Sequence, residues 1–177
     1  MKEKISILLP LYNDELYIKK AIQSVFANSY KNFELVVIND GSNDNSLEIV
    51  KSINDERLKI YTKSNTGLID TLNYGLTKCN YEIIMRMDGD DEIEKEKIET
   101  LLLFFKKLNP IILGTGGYII NNFSEIKSKV DVPENNKSIL KKMRLLQPSI
   151  IHASIMFYKD AIIKAGIKKV IIGSKDP

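Results

Sequence analysis

Short runs of β-branched and other apolar residues alternate along the chain with segments of helical periodicity. Four runs, at residues 5–10, 33–39, 57–62 and 81–87, predict buried or half-buried strands. Between and after them, residues 14–27, 47–53, 67–78 and 94–108 repeat apolar side chains every three or four positions and predict helices. The side chains predicted to face inward are Ile18, Ala21, Ile22, Val25, Phe26, Leu68, Leu72, Leu76, Ile98, Leu101, Leu102 and Phe105.

The pattern weakens after residue 109. Residues 110–120 predict a strand region broken by glycines, residues 121–138 a loop, residues 139–146 a helix, and residues 149–158 a further strand. Strand–helix–strand units of this length predict a mostly parallel sheet with helices on both faces. The expected fold is therefore a single α/β domain over residues 1–177, with three α/β/α layers.

Composition narrows the protein class. A chain of 177 residues with 44% hydrophobic residues is long enough to bury one sizeable core. The single Cys79 and single His152 exclude a disulfide framework and a structural zinc site. The N-terminus lacks the features of a cleaved signal, and the apolar runs are too short to span a membrane. These features favour a soluble, cytoplasmic protein.

Charge is distributed unevenly. The net charge is +3, but residues 1–120 carry 15 Lys/Arg against 18 Asp/Glu, whereas residues 121–177 carry 11 against 5. A basic C-terminal third fits either a lysine-rich solvated surface or a face turned toward an anionic membrane or a phosphorylated substrate. The expected location is the cytoplasm. If the basic third faces an anionic membrane, the protein is expected at the inner face of that membrane.

The segment "MRMDGDDEIE" places four acids at the end of a predicted strand: Asp88, Asp90, Asp91 and Glu92. Two carboxylates about 5 Å apart repel each other by roughly 3 kcal/mol at an effective dielectric near 20. The group is therefore either turned into solvent, with Asp91 or Glu92 capping the next helix, or holds a hard divalent cation such as Mg²⁺ or Mn²⁺. In parallel sheets, ligands sit beyond the carboxyl ends of the strands, where this loop and "NDGSND" both lie.

Other kinds of site find little support in the sequence. No segment matches a Walker loop or a dinucleotide fingerprint, and basic residues do not alternate with exposed aromatics as nucleic-acid binding requires. Cys79 is interpreted as a small buried residue. His152, inside an apolar run, is interpreted first as a partly buried core histidine.

The segments "ISILLPLYNDELYIKKAIQSVFANSYKNFELVVINDGSNDNS", "NTGLIDTLNYGL" and "YEIIMRMDGDDEIEKEKI" together resemble the nucleotide-sugar domain of family 2 glycosyltransferases. The resemblance runs over about residues 5–166. It implies the Rossmann-like GT-A fold. It also implies inverting transfer of a sugar from a nucleoside diphosphate donor, expected to be UDP-linked, to a hydroxyl of a saccharide or lipid-linked acceptor. A role in cell-envelope or surface polysaccharide synthesis is implied by the same resemblance.

The resemblance also implies roles for individual residues. Pro10, Leu11 and Tyr12 in "LPLYN" correspond to the nucleotide end of the first strand, and Asp40 corresponds to an aspartate that recognises uracil. Asn39 stands where many relatives carry a second acid.

A second set of implied roles concerns the pocket and the metal. Asp90 corresponds to the metal ligand of the "DxD" signature, and Asp88 to a ribose contact or second metal ligand. The ion would be Mn²⁺ or Mg²⁺. Arg86 would pair with an acid of the site, and His152 is a candidate contact for the acceptor or the diphosphate. The residues matching the stretch that shapes the nucleotide pocket are Asn65, Gly67 and Asn73.

The catalytic base is not identified. In relatives it belongs to a Glu-Asp pair after the last helix, whereas this chain continues as "AGIKKVIIGSKDP" and has no such pair beyond Asp91. Asp131, Asp160 and Asp176 do not match that context. The sequence therefore predicts a domain that lacks the usual C-terminal acceptor and base region. Three functions stay open: a glycosyltransferase, a non-catalytic domain that binds nucleotide sugar, and an interaction module whose acids are solvated caps.

Overall fold

The computed structural model describes residues 3–145, 147 and 149–164. Within them, the chain forms eight strands, six α-helices and a short 3₁₀ helix at His152–Ser154. The strands are β1 (Ile5–Leu11), β2 (Phe33–Asn39), β3 (Leu58–Thr62), β4 (Ile83–Arg86), β5 (Ile112–Leu113), β6 (Gly117–Ile120), β7 (Ile126–Val130) and β8 (Met156–Tyr158). The helices are α1 (Ile18–Ala27), α2 (Ser46–Lys51), α3 (Leu68–Lys78), α4 (Lys97–Leu108), α5 (Asn136–Arg144) and α6 (Lys159–Lys164).

The main sheet has the strand order β3-β2-β1-β4-β8-β5 in the described part of the chain. β3, β2, β1 and β4 run parallel, and β8 lies antiparallel to both β4 and β5. The chain leaves β1 toward β2 and later crosses back to place β4 on the other side of β1. The predicted mostly parallel sheet is therefore confirmed, with antiparallel pairing confined to one edge.

The central strands are buried on both faces, which explains their uninterrupted apolar runs. Alternate residues of β1, such as Ile7 and Leu9, pack with α1, α2 and α4, while Leu8 points to the opposite side and packs with α3 and α6. Two hydrophobic clusters thus cover the two faces of one sheet, and the three-layer prediction is confirmed. Leu68, predicted to face inward, is 42% exposed because it lies in the first turn of α3.

Two predictions for the C-terminal part were wrong in detail. Residues 121–138, expected to be a loop, contain β7, which pairs with β6 in a separate two-stranded sheet. The side chains of β7 are almost all exposed, so the strand has no apolar alternation to reveal it. The segment expected as one strand over residues 149–158 is instead a 3₁₀ helix followed by the short β8.

No helix among the described residues is both long enough and apolar enough to cross a lipid bilayer. Residues 165–177, which include the segment that lacks the expected Glu-Asp pair, and residues 146 and 148 lie outside the described part of the chain.

Gly75 sets the distance between α3 and the sheet. A Cβ atom at this position would lie 2.3 Å from Leu8 Cδ1 and 3.0 Å from Ile38 Cγ1. We expect Gly75→Ala to lower the free energy of unfolding by about 1–3 kcal/mol, since overpacking outweighs the gain of roughly 1 kcal/mol in helix propensity. Urea denaturation measures the change.

The matched control is Thr77→Ala, two positions along the same helix and exposed. It tests helix propensity without the overpacking and should change stability by less than about 0.5 kcal/mol. A stabilised Gly75→Ala protein would show that α3 can move away from the sheet without loss.

Candidate functional site

The loops after β1 and β4 meet at the point in the sheet where the strand order changes direction: β2 and β3 lie on one side of β1, and β4 lies on the other. β1 and β4 are neighbours, whereas the connections from β1 and from β3 leave in opposite directions. Ligands of open α/β sheets bind in the crevice that such a reversal leaves at the carboxyl ends of the strands. This crevice holds Tyr12 and Asp14 from one loop and the acidic segment 88–92 from the other.

Three acids of that segment converge. Asp88, Asp90 and Asp91 each place a carboxylate oxygen within 4.8 Å of the others, a cluster found among the residues that the structure describes. The alternative that Asp91 or Glu92 caps the following helix is wrong, since α4 begins only at Lys97 and its N-cap residue is Glu96. The acids are therefore gathered for a reason other than capping.

Arg86 anchors the cluster to the core. Its side chain is 2% exposed, and its guanidinium donates through both Nη atoms to the two carboxylate oxygens of Asp88, with Nη1 3.0 Å from Oδ2. The predicted pairing of Arg86 with an acid of the site is thus present. Burial raises the pKa of Asp88 above its ordinary value, against the opposing effect of Arg86 and with a smaller contribution from Asp90.

Asp14 belongs to the same group and was missed in the sequence. Its carboxylate lies against Gly89, where a Cβ atom would be 2.5 Å from Asp14 Oδ2, so a side chain at position 89 would displace the Asp14 carboxylate. The sole sequence signal was an acid directly after a buried strand. The Asp14 carbonyl accepts hydrogen bonds from the N–H groups of Tyr17 and Ile18 at 2.9 Å each, in the turn that leads into α1.

The acids raise one another's pKa values. Burial raises the pKa of Asp14 to about 6, opposed by a hydrogen bond from the Tyr12 N–H and reinforced by Asp90, Asp88 and Asp44. Burial likewise raises the pKa of Asp91 to about 6, reinforced by Asp88 and Asp90. Carboxylates that resist ionisation in each other's company gain most from a cation placed among them.

The donor set suits a hard divalent cation. Carboxylate oxygens are the preferred ligands of Mg²⁺ and Mn²⁺, which proteins commonly hold with one or two carboxylates plus substrate phosphates. Asp88 and Asp90 were the predicted ligands; Asp91, which lies in the same cluster, was predicted only as a cap. Arg86 donates to both carboxylate oxygens of Asp88. Among the residues that the structure describes, the carboxylates of Asp90 and Asp91 accept no hydrogen bond, so they are the acids of this cluster that are open to a cation.

A second group of polar residues lies beyond β2 and β3. Asp40 follows β2 and is 4% exposed. Its carboxylate accepts hydrogen bonds from the Lys63 ammonium, from the Thr66 N–H at 3.0 Å and from the Gly67 N–H at 2.9 Å. Burial alone would raise the pKa of Asp40, but the bonds from Lys63 and Thr66 outweigh it and hold the pKa below the ordinary value. Asp40 therefore fixes the loop between β3 and α3.

The other residues predicted for the nucleotide end lie around this loop. Pro10 is buried within β1 opposite Ile38, whereas Tyr12 follows the strand with 45% of its surface exposed. Asn65 and Gly67 belong to the loop that Asp40 holds, and Gly67 adopts a φ of 88°, a conformation that favours glycine. The fold brings these residues to one edge of the sheet, while their contacts with a nucleotide stay predictions.

His152 lies near Arg86, the residue that pairs with Asp88. It begins the 3₁₀ helix, next to the residues that pair with the end of β4. Burial lowers the pKa of His152 to about 4, with a further contribution from the nearby Arg86. Its Nε2 atom is buried without a hydrogen-bond partner among the described residues. The imidazole is therefore neutral at pH 7, and its role toward a substrate stays a prediction. Cys79 is buried, as expected.

Comparison with known proteins assigns the family. The profile described as "Glycosyl transferase family 2" matches residues 6–166. The O-antigen biosynthesis glycosyltransferase WbnJ of Escherichia coli is 32% identical over 167 residues, which cover 92% of this chain and 64% of WbnJ. The chain belongs to glycosyl transferase family 2.

Solved structures show the same fold. S. aureus TarS 1-349 in complex with UDP-GlcNAc superimposes with a TM-score of 0.73 at 24% identity, covering 93% of this chain and 48% of that one. The mannosyltransferase PcManGT from Pyrobaculum calidifontis, in complex with GDP-Man and Mn2+, gives 0.68 at 15% identity, with 94% and 47% covered. The fold is the GT-A fold, and the chain spans between 47% and 64% of these three proteins.

The bonds around Asp40 predict a pH-dependent contribution to stability. Its pKa in the folded protein lies below the ordinary 3.8, so its contribution is present above pH 3.8 and is lost as the pH falls through the folded value. Asp40→Asn should therefore lower the free energy of unfolding by about 1–3 kcal/mol at pH 7, and by less near pH 3. Urea denaturation across this pH range measures the difference.

Asp70→Asn provides the control, because Asp70 is an exposed acid in the first turn of α3. Its effect should stay below about 0.5 kcal/mol. An Asp40→Asn effect that is the same at pH 7 and pH 3 would show that the charge of Asp40 does not hold the loop.

Proposed function

We propose that this chain is the nucleotide-sugar domain of a glycosyltransferase that transfers a sugar from a UDP-linked donor to a hydroxyl acceptor with inversion. The observation that carries the proposal is the acid cluster at the switch point of a GT-A fold, held from the core by Arg86. Support also comes from two relatives: WbnJ is named for O-antigen biosynthesis, and the TarS structure contains UDP-GlcNAc.

A divalent ion, Mn²⁺ or Mg²⁺, would be held by Asp90 with Asp91 or Asp88, and PcManGT is solved with Mn2+. Such an ion would supply Lewis-acid stabilisation of a diphosphate leaving group. The chain's own residues would hold and orient the metal ligands. Arg86 keeps Asp88 in place, and Asp14 adds negative charge behind Gly89. An anionic diphosphate would be repelled by these acids without the cation, so donor binding is proposed to require the metal.

The nucleoside would lie over the ends of β1, β2 and β3. Asp40 holds the 63–67 loop, and the exposed ring of Tyr12 stands at the end of the neighbouring strand. A base lying here would leave the diphosphate pointing along the crevice toward Asp90. The acceptor is proposed to be a saccharide or a lipid-linked saccharide, in surface polysaccharide synthesis, with the protein in the cytoplasm or at the inner face of a membrane.

The second candidate function is binding of a nucleotide sugar without transfer. Release of UDP and formation of a glycosylated product from UDP-sugars would establish transfer. Donor binding without either reaction would establish a domain that binds nucleotide sugar without transfer. If no donor binds at all, the function that remains is an interaction module whose acids are solvated.

The metal requirement is tested by calorimetry of UDP with and without Mn²⁺. The wild-type chain should bind UDP only with the metal, and Asp90→Ala should weaken binding about ten- to a hundredfold, the loss of one charge-assisted contact. Glu94→Ala is the matched control, since Glu94 is an exposed acid of the same loop outside the cluster. Equal UDP binding with and without Mn²⁺ would contradict the proposal.

A further inference from the structure

The helix α5 (Asn136–Arg144) has an apolar face that lies outside the protein's core. None of its residues is buried, and none belongs to the two hydrophobic clusters that cover the main sheet. Leu140 and Met143, which are 53% and 42% exposed, lie on this face with the partly buried Ile139. Every other α-helix that the structure describes contributes at least one buried side chain. The apolar face of α5 is therefore open to a partner.

A helix of this length gains little stability from its own hydrogen bonds. Helices shorter than about 12–15 residues are marginal in water, and most helical stability in proteins comes from the packing of an amphipathic face. α5 has nine residues and one capping bond from a side chain, in which the Ser138 N–H donates to Asn135 Oδ1 at 3.0 Å. An external apolar surface would supply the packing that the core does not.

The charged side chains of α5 are all cations: Lys137, Lys141, Lys142 and Arg144. None of them forms an ion pair with an acid that the structure describes. The last three lie in the final turn, where a positive charge favours the helix dipole. Lys137 lies in the first turn, where a positive charge opposes the dipole. The stability of α5 by itself therefore does not explain this charge pattern.

Cations border the apolar face of α5 on both sides. Residues three or four positions apart are neighbours on a helix surface. Lys137 lies three positions before Leu140 and Arg144 four positions after it, on one border of the face. Lys142 lies three positions after Ile139, on the other border. Long cationic side chains in this arrangement let an apolar face enter a lipid interface while the charges reach the headgroups.

This combination of charge and apolar surface distinguishes between anionic partners. Proteins that bind nucleic acids commonly add aromatic side chains for stacking on bases, and residues 136–145 contain no aromatic residue. A purely solvated surface gives no reason for Leu140 and Met143 to lie between cations. An anionic bilayer offers a negative surface potential to the cations and an acyl boundary to the apolar side chains.

We propose that α5 docks on an anionic lipid bilayer. Leu140 and Met143 enter the headgroup region, and the four cations of the helix lie against the lipid phosphates. The amphipathic helix is then the part of the protein that holds it at a membrane surface, without any segment that spans the bilayer.

The location of α5 in the chain also suits a lipid-linked acceptor, and for that acceptor alone the inference rests on the proposed function. His152 follows Arg144 by eight residues, a stretch that spans at most about 29 Å. His152 lies near Arg86, which holds the acid cluster from the core. A bilayer under α5 would therefore present its lipids within a few nanometres of the crevice.

The test is co-sedimentation of the 177-residue chain with lipid vesicles, in the absence of UDP and Mn²⁺. One set of vesicles is phosphatidylcholine alone, and the other contains about 30% phosphatidylglycerol, which supplies the negative charge. The wild-type chain should bind the anionic vesicles only. Binding should weaken as the NaCl concentration rises, because salt screens the charges.

Two variants test the two sides of the helix. Lys141→Ala/Lys142→Ala removes two cations, and its matched control is Lys106→Ala/Lys107→Ala, an exposed lysine pair in the last turn of α4. Leu140→Ser removes an apolar side chain, and its matched control is Leu103→Ser, a leucine of α4 that is 65% exposed. Thermal melting checks that all four proteins fold.

We expect both α5 variants to bind anionic vesicles more weakly than the wild type. A cation at an anionic surface contributes about fivefold to binding, so the double lysine variant should lose about 20- to 30-fold. Leu140→Ser should lose about tenfold, since it removes apolar surface from the lipid interface. The two α4 controls should change vesicle binding by less than about threefold, because α4 is not the docking helix.

Absence of binding to anionic vesicles, or equal losses in the α5 and α4 variants, would overturn the docking of α5. A loss in the lysine variant without any loss in Leu140→Ser would overturn it too, because α5 would then be an electrostatic site for a polyanion or an acidic protein. Calorimetry of UDP with Mn²⁺ on the same variants should show no change. A chain that binds vesicles but not UDP would contradict the proposed function alone.

Discussion

The ion pair between Arg86 and Asp88 is the interaction on which the geometry of the acidic crevice depends. Arg86 is the last residue of β4 and is almost fully buried, so its guanidinium has no access to solvent. Removing one partner of a buried pair typically costs about 3–5 kcal/mol, because the other charge is left without compensation. The pair therefore ties the loop that carries Asp90 and Asp91 to a buried central strand of the sheet.

The two halves of the crevice use opposite electrostatic arrangements. Around Asp40, one carboxylate is satisfied by an ammonium and two backbone N–H groups, and it stays ionised. Beyond β4, the carboxylates of Asp14, Asp88, Asp90 and Asp91 lie close together, and Arg86 pairs with Asp88. Asp14 and Asp91 have raised pKa values. The first arrangement stabilises a loop without help from a ligand, whereas the second leaves negative charge that a cation would neutralise.

The β6–β7 hairpin completes the site from outside the main sheet. Its turn contacts α1 and the acidic loop through Lys20 and Glu92, and its strands are mostly solvent-exposed. No hairpin residue belongs to the two hydrophobic clusters that cover the main sheet in the described part of the chain.

The sequence by itself determined the parts of the protein that local patterns control. Buried parallel strands read as continuous apolar runs, and the amphipathic helices read as three- and four-residue repeats, so β1 to β4 and α1 to α4 were predicted with small boundary errors. The acids of "MDGDDE" were visible because a buried strand is rarely followed by four acidic residues. The family resemblance then implied Asp40 and Arg86, which periodicity alone would not have singled out.

Tertiary structure decided what depends on residues distant in the chain. Asp14 joins the acids only because β1 and β4 are neighbours, and the cavity beside Asp90 exists only because the hairpin turn meets α1, about a hundred residues earlier. β7 has no apolar alternation because both of its faces are exposed, so no local signal announced it. The periodicity of apolar residues depends on which side chains of one element are buried, so it can be recognised in the sequence. A site depends on which distant residues come close together, and the order of strands in the folded sheet decides that.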